Sequence, residues 1–484
     1  MDPASLATAQ PGSNAMSFKD FEDLRKALEA GYGTDQAALT GGAALRIQSL
    51  DTTMQATIQE NQHFRFFNKV QKTKPGATVD EWTEQNGIGG FPGGSTNTET
   101  GAISAAMGSY ARRVGLVKYL MTRREVSFVA TLQNAITDAE AIEYQAGALQ
   151  LLTDAEFLCF EGDSAVVPTE YDGIAAQLQA GVTAGQVDSA NVIDMRAQPL
   201  NSIAPMAQAA QVIAGPGNYG RPTDLFCSQA VQSDMDISLD PAFRVPLPDV
   251  GNGGISLGAP VRGVRTSYGD IANNPDVFIR DQDQQVPFEL RFAAVATRQV
   301  AIKPQSVAGT PASDASSLFG ANEAGTYYYA VAGVNAAGQS AVLKSAQVTV
   351  AAGEKVSLAI GASAGGGETG YVIYRGRKGG TNATTDFREV CRVAKAAGGT
   401  TTWVDLNQDI PGTTKAFVLN MSQGAHAITW RQLLPMVKFA LYPTVSATVP
   451  WAQLLFGYLR ITKRRQHVLV KNILPTRATW RPFG

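Results

Sequence analysis

The 484-residue sequence predicts an α+β protein carrying an inserted β-sandwich, and three observations lead there. Residues 306–415 alternate short β-branched and aromatic runs with Gly and Asn turns, the pattern of a small sandwich. Residues 137–161 place apolar side chains at steps of three and four, the pattern of one long helix. The flanking sequence mixes extended arms and short strand-like runs. Composition supports the division: 17 of the 48 glycines fall in residues 306–415, roughly 15% against about 8% elsewhere, where about 7% is usual.

Length and composition set the class. The chain is 44% hydrophobic, enough to build large cores over about three domains. A formal charge of -2, from 40 basic and 42 acidic residues, gives no bulk attraction to nucleic acid or anionic lipid. Three cysteines, Cys159, Cys227 and Cys391, are far apart and without a Cys-x-x-Cys pair. They indicate neither a disulfide framework nor a zinc site and are read as small buried hydrophobes. The Met1-Asp-Pro-Ala start lacks a basic and an apolar segment, which argues against a secretory signal. Pro443 and Pro450 interrupt the most apolar stretch, 439–461, so no membrane span is expected.

Taken in order, residues 1–60 read as an N-terminal arm with one helical segment, 18–30, whose Phe21, Leu24 and Leu28 recur at helical spacing. Residues 61–120 read as an extended hairpin. Its first arm is expected to begin with a strand at 64–70, its second covers 113–121, and a glycine-rich loop from Gly87 to Ser95 lies between. Exposed aromatics on such a hairpin need a partner, and Phe64, Phe66, Phe67 and Trp82 are expected to be buried only against another subunit. Thr137-Asp-Ala-Glu140 is a capping box opening the long helix. Ile142, Ala146, Leu149, Leu152, Ala155 and Leu158 form its apolar stripe, and Gly162 stands where a left-handed cap belongs. Some 24 residues make a rod of roughly 36 Å. A Gly/Pro-punctuated turn follows to Ile174, then a helix over 200–214, then short strands and loops to about 300. After the insert, 430–441 and 451–461 lead to a closing strand at 467–473.

These pieces in this order resemble the major capsid proteins of tailed bacteriophages, the Hong Kong 97-like fold. The stretch 137–174 and the closing Leu433-Leu-Pro-Met-Val-Lys438 and Lys471-Asn-Ile473 segments carry the resemblance most specifically. It covers all but the insert, which is similar to the immunoglobulin-like or fibronectin-like domains added to some capsid proteins. The resemblance implies an arm at 1–60, an extended loop at 61–120 and a peripheral domain with its spine helix at 121–200. It further implies an axial domain at 201–305, the insert at 306–415, an axial return at 416–440 and peripheral strands at 441–484. It also implies a subunit that self-associates into hexamers and pentamers of an icosahedral head enclosing double-stranded DNA. Portal, scaffolding and decoration proteins would be its partners, packaged DNA would be contacted without sequence preference, and no membrane is involved. Assembly would take place in the bacterial host cytoplasm and the product would be the virion capsid. The insert would then be displayed outward, and deleting it should leave shells able to form.

No enzyme constellation is present. His63, His426 and His467 lack ligand spacing. Ser164 lacks the second glycine of a nucleophile elbow, and neither Gly251-Asn-Gly-Gly254 nor Gly365-Gly-Gly367 makes a nucleotide fingerprint. No catalytic, cofactor-binding or metal-binding residue is expected. Some members of the family join a loop lysine to a neighbour's asparagine beside a buried carboxylate; Lys69, Lys72 and Lys74 lie in the hairpin region but are read as solvated charges. Lys463-Arg-Arg465 is read as a solvated turn or an intersubunit ion-pair site in preference to a DNA-phosphate contact. The sequons at Asn382 and Asn420 carry no meaning in a cytoplasm. Two other functions fit parts of the chain: an encapsulin-like shell holding cargo enzymes, separated by the presence or absence of DNA, and an adhesin or tail structural protein, favoured only by the sandwich.

Overall fold

The computed structural model describes residues 63–91, 93–103, 105–128, 131, 139–238, 261–281, 285–292, 301–443 and 447–484. The chain divides into two compact units, Met1–Thr57 with Val129–Ala139, and Ile58–Phe128 with Glu140–Gly484. The first lies almost wholly outside the described residues, and with it the expected helix at 18–30 and the capping residue Thr137. The second unit is mixed α and β, and mostly β.

One layer pairs the long helix Ala139–Glu161 with a four-stranded sheet ordered Gln71–Thr73, Ile428–Ala440, Thr448–Ile461, Lys118–Ser127. Leu151, Ala155, Cys159 and Phe160 form the buried side of the helix. Trp451, Gln453, Leu455, Leu459 and Ile461 alternate as buried positions along the facing strand, the period of two that a half-buried strand requires. Contact is close where the helix crosses: a Cβ on Gly147 would lie 2.3 Å from Gln453 Oε1, and Gln453 Nε2 donates to Tyr144 O at 2.7 Å.

The segment expected to be a strand at 64–70 is instead a short helix, Arg65–Lys69. Phe66, Phe67 and Val70 are all buried; in a helix Val70, three and four positions on, shares a face with both phenylalanines, whereas neighbours in a strand point oppositely. The Glu156 carboxyl accepts the Phe66 and Phe67 N–H groups at 2.7 and 2.8 Å, which helix geometry leaves unpaired. Burial, reinforced by the neighbouring Asp276, raises the Glu156 carboxyl well above the usual carboxylate range. Phe66 packs on Phe160 and Phe226, Phe67 on Trp430, and Phe64 stacks on Phe278 at 5.1 Å. The expectation that these three phenylalanines await another subunit is therefore overturned: their own chain buries them.

Gly162 ends the long helix, though not by a left-handed conformation, since its φ is not positive. Close approach is what excludes a side chain there: a Cβ would lie 2.3 Å from Tyr171 O. The six-stranded sheet runs Val192–Asp194, Val468–Ile473, Thr414–Leu419, Asp224–Cys227, Gly269–Pro275, Gly263–Thr266. Helix Ala204–Ala214 covers it, contributing Met206, Ala209, Ala210 and Ile213 to a second core with Leu225, Val418 and Val470. This helix starts later than the expected position 200 because Pro205 fits only its first turn. Leu200 is buried in the preceding segment.

Between these parts, strands from Pro304–Ser313 to Thr400–Asp405 form small antiparallel sheets. Strands Tyr329–Asn335 and Gly370–Gly376 are buried on both faces. Tyr329, Val331, Tyr371 and Ile373 meet Val356, Leu358 and Ile360 of the three-stranded sheet. Ala330, Ala332, Val372 and Tyr374 pack instead on Val166 and Val167, just beyond the long helix. Residue 415 lies in the strand Thr414–Leu419 of the six-stranded sheet, ten residues past the last strand of this β-rich region.

Candidate assembly surface

The two-stranded hairpin pairs Val79–Gly87 with Ser109–Leu116. The second arm, expected over 113–121, is divided at Val117, beyond which Lys118–Ser127 joins the four-stranded sheet. In the first strand Asp80, Trp82 and Glu84 share the face turned to the body while Val79, Glu81 and Thr83 are exposed.

That inward face is a lock built from charge. Asp80 receives Arg431 Nε at 2.8 Å, Arg460 Nη1 at 3.2 Å and the Tyr458 hydroxyl. Burial works to raise the Asp80 carboxyl, but the hydrogen bonds from Tyr458 and Arg431, with the charges of Arg431 and Arg460, hold it below the usual carboxylate range. Glu84 takes Arg464 Nη2 at 2.8 Å and lies 3.4 Å from Arg113 Nε. Trp82 is half-buried between them, its Nε1 donating to Glu84 Oε1 at 3.3 Å and its ring 5.7 Å from the Arg460 guanidinium. Gly115 makes room for Tyr458, whose ring a Cβ would approach to 2.3 Å. An open cleft of about 560 Å3 lies under the hairpin, lined by Trp82, Glu84, Arg113, Tyr458 and Arg464. Trp82 therefore packs within its own chain, against the earlier expectation.

The tip is different in kind. Ile103 is 93% exposed, Met107 85%, Phe91 74% and Ile88 69%. Gly89, Gly90 and Gly93 have positive φ, conformations open to glycine at little cost. Sequence reading did not single out these four side chains; the signal was present as large apolar residues in a stretch, 88–108, holding a single ionisable residue, Glu99.

The remaining sequence candidates disperse. Lys69 is paired with Asp224, Lys72 lies 4.5 Å over the Phe67 ring, and Lys74 is exposed. Arg464 serves the hairpin lock within the chain, and Arg465 Nε donates to Gln186 O at 2.8 Å. His467 is fully buried and its imidazole is pushed down to about 4 by that burial. Ser164 sits in a turn with its N–H on Asp172 Oδ1 at 2.8 Å. Asn420 is buried and donates to Gln466. The glycines at 251–254 lie outside the described residues. Among the described residues no group of three or more His, Cys, Asp or Glu side chains could hold a metal, and no helix is long and apolar enough to cross a membrane.

No family model matches the chain. It is 25% identical over 459 residues to a provisionally assigned major capsid protein of Enterococcus phage phiEF24C, covering 93% of this chain and 95% of the relative. It is 23% identical over 470 residues to the major capsid proteins of Staphylococcus phage S25-3 and Staphylococcus phage K, at the same coverage. Among solved structures, the capsid of a native GTA particle is 9% identical with a TM-score of 0.47, covering 91% of this chain and 99% of that one. The SrpI encapsulin of Synechococcus elongatus is 8% identical with a TM-score of 0.43, covering 93% and 99%. Running over nearly the whole of this chain and of each sequence relative, the similarity gives the protein its function, that of a phage major capsid protein.

Proposed function

We propose that the chain is the repeating subunit of an icosahedral phage head with a Hong Kong 97-like fold, assembling as hexamers and pentamers around double-stranded DNA. In this reading the long helix and four-stranded sheet form the peripheral domain, the six-stranded sheet the axial domain, and 79–116 the extended loop. The β-rich insertion is an immunoglobulin-like domain. Portal and scaffolding proteins would join during assembly in the host cytoplasm, and the mature location is the virion.

The observation that carries this reading is the contrast within the hairpin: a base locked by ion pairs and a tip whose apolar side chains its own chain leaves in water. Full burial of each such side chain contributes about 1.5–3 kcal/mol. Repeated around every subunit, contacts of that size accumulate into a stable lattice. Electron microscopy of the purified protein, expressed with and without its scaffolding partner, is expected to show closed shells. Protein that stays monomeric at high concentration in both preparations overturns the reading.

A further inference from the structure

Two acidic side chains meet in the core behind the chain that leads into the hairpin. Glu156 of the long helix and Asp276, just past the strand Gly269–Pro275, are both fully buried. Both Glu156 oxygens accept backbone N–H groups, from Phe66 and Phe67. Asp276 Oδ1 accepts the Phe278 N–H at 2.8 Å and the Asp276 N–H donates to Cys227 O at 2.8 Å, but Asp276 Oδ2 is buried with no donor. The two carboxyls lie within hydrogen-bonding reach of each other, and two carboxylates side by side in a core do not both ionise. One proton satisfies the whole cluster. A protonated carboxyl donates once and still accepts, so a Glu156 hydroxyl supplies Asp276 Oδ2 with its donor while the Phe66 and Phe67 N–H groups stay bound.

Neighbouring charge does not replace that proton. Lys72, from the strand Gln71–Thr73, faces Glu156, and Arg65 faces Asp276, yet burial is the larger effect and raises both carboxyls. Lys69 of the same short helix is taken by Asp224. The Cys159 and Cys227 thiols and the Tyr171 phenol on the remaining sides are themselves pushed up by burial and stay neutral up to pH 10. We infer that Glu156 and Asp276 share one proton, and that this proton latches the segment 64–70, and through it the root of the hairpin, to the core. Without it two like charges are buried together, and lifting 64–70 off Glu156 is the movement that brings water to them. A carboxyl raised in the folded chain contributes stability that is fully present below its unfolded value and is lost as pH rises through the folded one. The latch therefore opens on the alkaline side. It belongs to the single subunit and does not depend on shell formation.

Amide exchange of the full-length subunit at pH 7 and pH 10, corrected for the intrinsic pH dependence of exchange, tests it. Exchange in 64–70 is expected to rise by about tenfold or more, since each pH unit past the titration favours the ionised form about tenfold, while Tyr329–Asn335 changes little. Asp276→Asn keeps the acceptor for Phe278 and puts an amide donor where the shared proton was, so its 64–70 segment should show no such rise. A rise of equal size in the Asn variant, which Lys72 losing its own proton would produce, overturns the latch. So does an unsubstituted chain whose 64–70 segment exchanges alike at both pH values. The proton itself is read without any substitution. Infrared difference spectra between pH 7 and pH 10 should show the loss of a protonated-carboxyl band in a range where ordinary carboxyls are ionised throughout. Absence of that band overturns the shared proton even if Asp276→Asn fails to fold.

Discussion

The hairpin and the β-rich region 304–405, the proposed insertion, both lie outside the two main sheets, yet they satisfy their side chains in opposite ways. The insertion buries both faces of its central strands, one on its own three-stranded sheet and one on Val166 and Val167. Its central polar groups are paired as well. Arg375, fully buried, donates to Asp405 at 2.6 Å and to Asn407 Oδ1 at 2.7 Å, with its guanidinium over the rings of Phe319 and Tyr327. Asn407 leads to Glu323, which Arg196 of the body grips with one guanidinium nitrogen at 2.7 and 2.8 Å. The hairpin has a closed base and an open tip. A region whose surfaces are completed by its own chain serves stability; one left incomplete serves association.

The largest expected effects come from deletion. Joining residues 303 and 406 through a short Gly/Ser linker removes the insertion, leaves Val166 and Val167 bare and strips Arg280 and Arg196 of Glu389 and Glu323. Loss of soluble folded protein is expected, read by sedimentation and circular dichroism, and this reverses the sequence-based expectation that a deleted chain would still form shells. Replacing residues 89–107 by a tight turn should do the reverse: melting of the subunit changes by no more than about 0.5 kcal/mol, as for a surface change, while particle yield falls to none. Equal losses of folding in the two deletions would erase the contrast.

Single substitutions sharpen it. Arg375→Ala leaves the Asp405 carboxylate buried without its cation, a change that costs about 3–5 kcal/mol in such pairs. Denaturant unfolding of the subunit measures it, and an effect under 1 kcal/mol would mean that the insertion core relaxes around the lost charge. Arg464→Ala should cost less, about 1–3 kcal/mol, because Arg113 remains 3.4 Å from Glu84. Its loss should loosen the hairpin base, read as faster amide exchange in Val79–Gly87 than in Tyr329–Asn335.

The same contrast explains what could be read in advance. Strands such as Tyr329–Asn335 and Gly370–Gly376 announce themselves by unbroken β-branched and aromatic runs, because they are buried on both faces. The long helix is legible as a helix but not by its buried face: of the expected stripe only Ala155 is buried, Leu152 and Leu158 pack at the edge, and Leu151, Cys159 and Phe160 face the core. The hairpin strand Val79–Gly87 hides from such reading: its inward residues include Asp80 and Glu84 and its outward ones Glu81 and Thr83, so both faces are polar and no alternation marks the strand. The segment 64–70 misleads for the opposite reason, since adjacent buried aromatics look like a strand until the distant Glu156 supplies the cap that makes them a helix. Arg431, Arg460 and Arg464, more than 340 residues from the carboxylates they hold, could not be assigned to the hairpin by any local pattern.

The smallest effect should come from Asp80, the more solvent-accessible of the two locks. Its carboxyl is held below the ordinary range of about 3.9. A depressed carboxyl contributes stability above the unfolded value, and that contribution is lost as pH falls through the lower folded value. Acidification from pH 5 to below pH 4 should therefore release the Asp80 end of the hairpin first as an increase in amide exchange in Val79–Gly87, with little change in the global unfolding midpoint. Asp80→Asn should show the loosened hairpin already at pH 7 and no further step on acidification. Because the lock is only partly shielded from water, added salt should weaken it in the unsubstituted protein and do nothing to the Asn variant. An acid step of equal size in both would place the titrating group elsewhere and remove Asp80 from the lock.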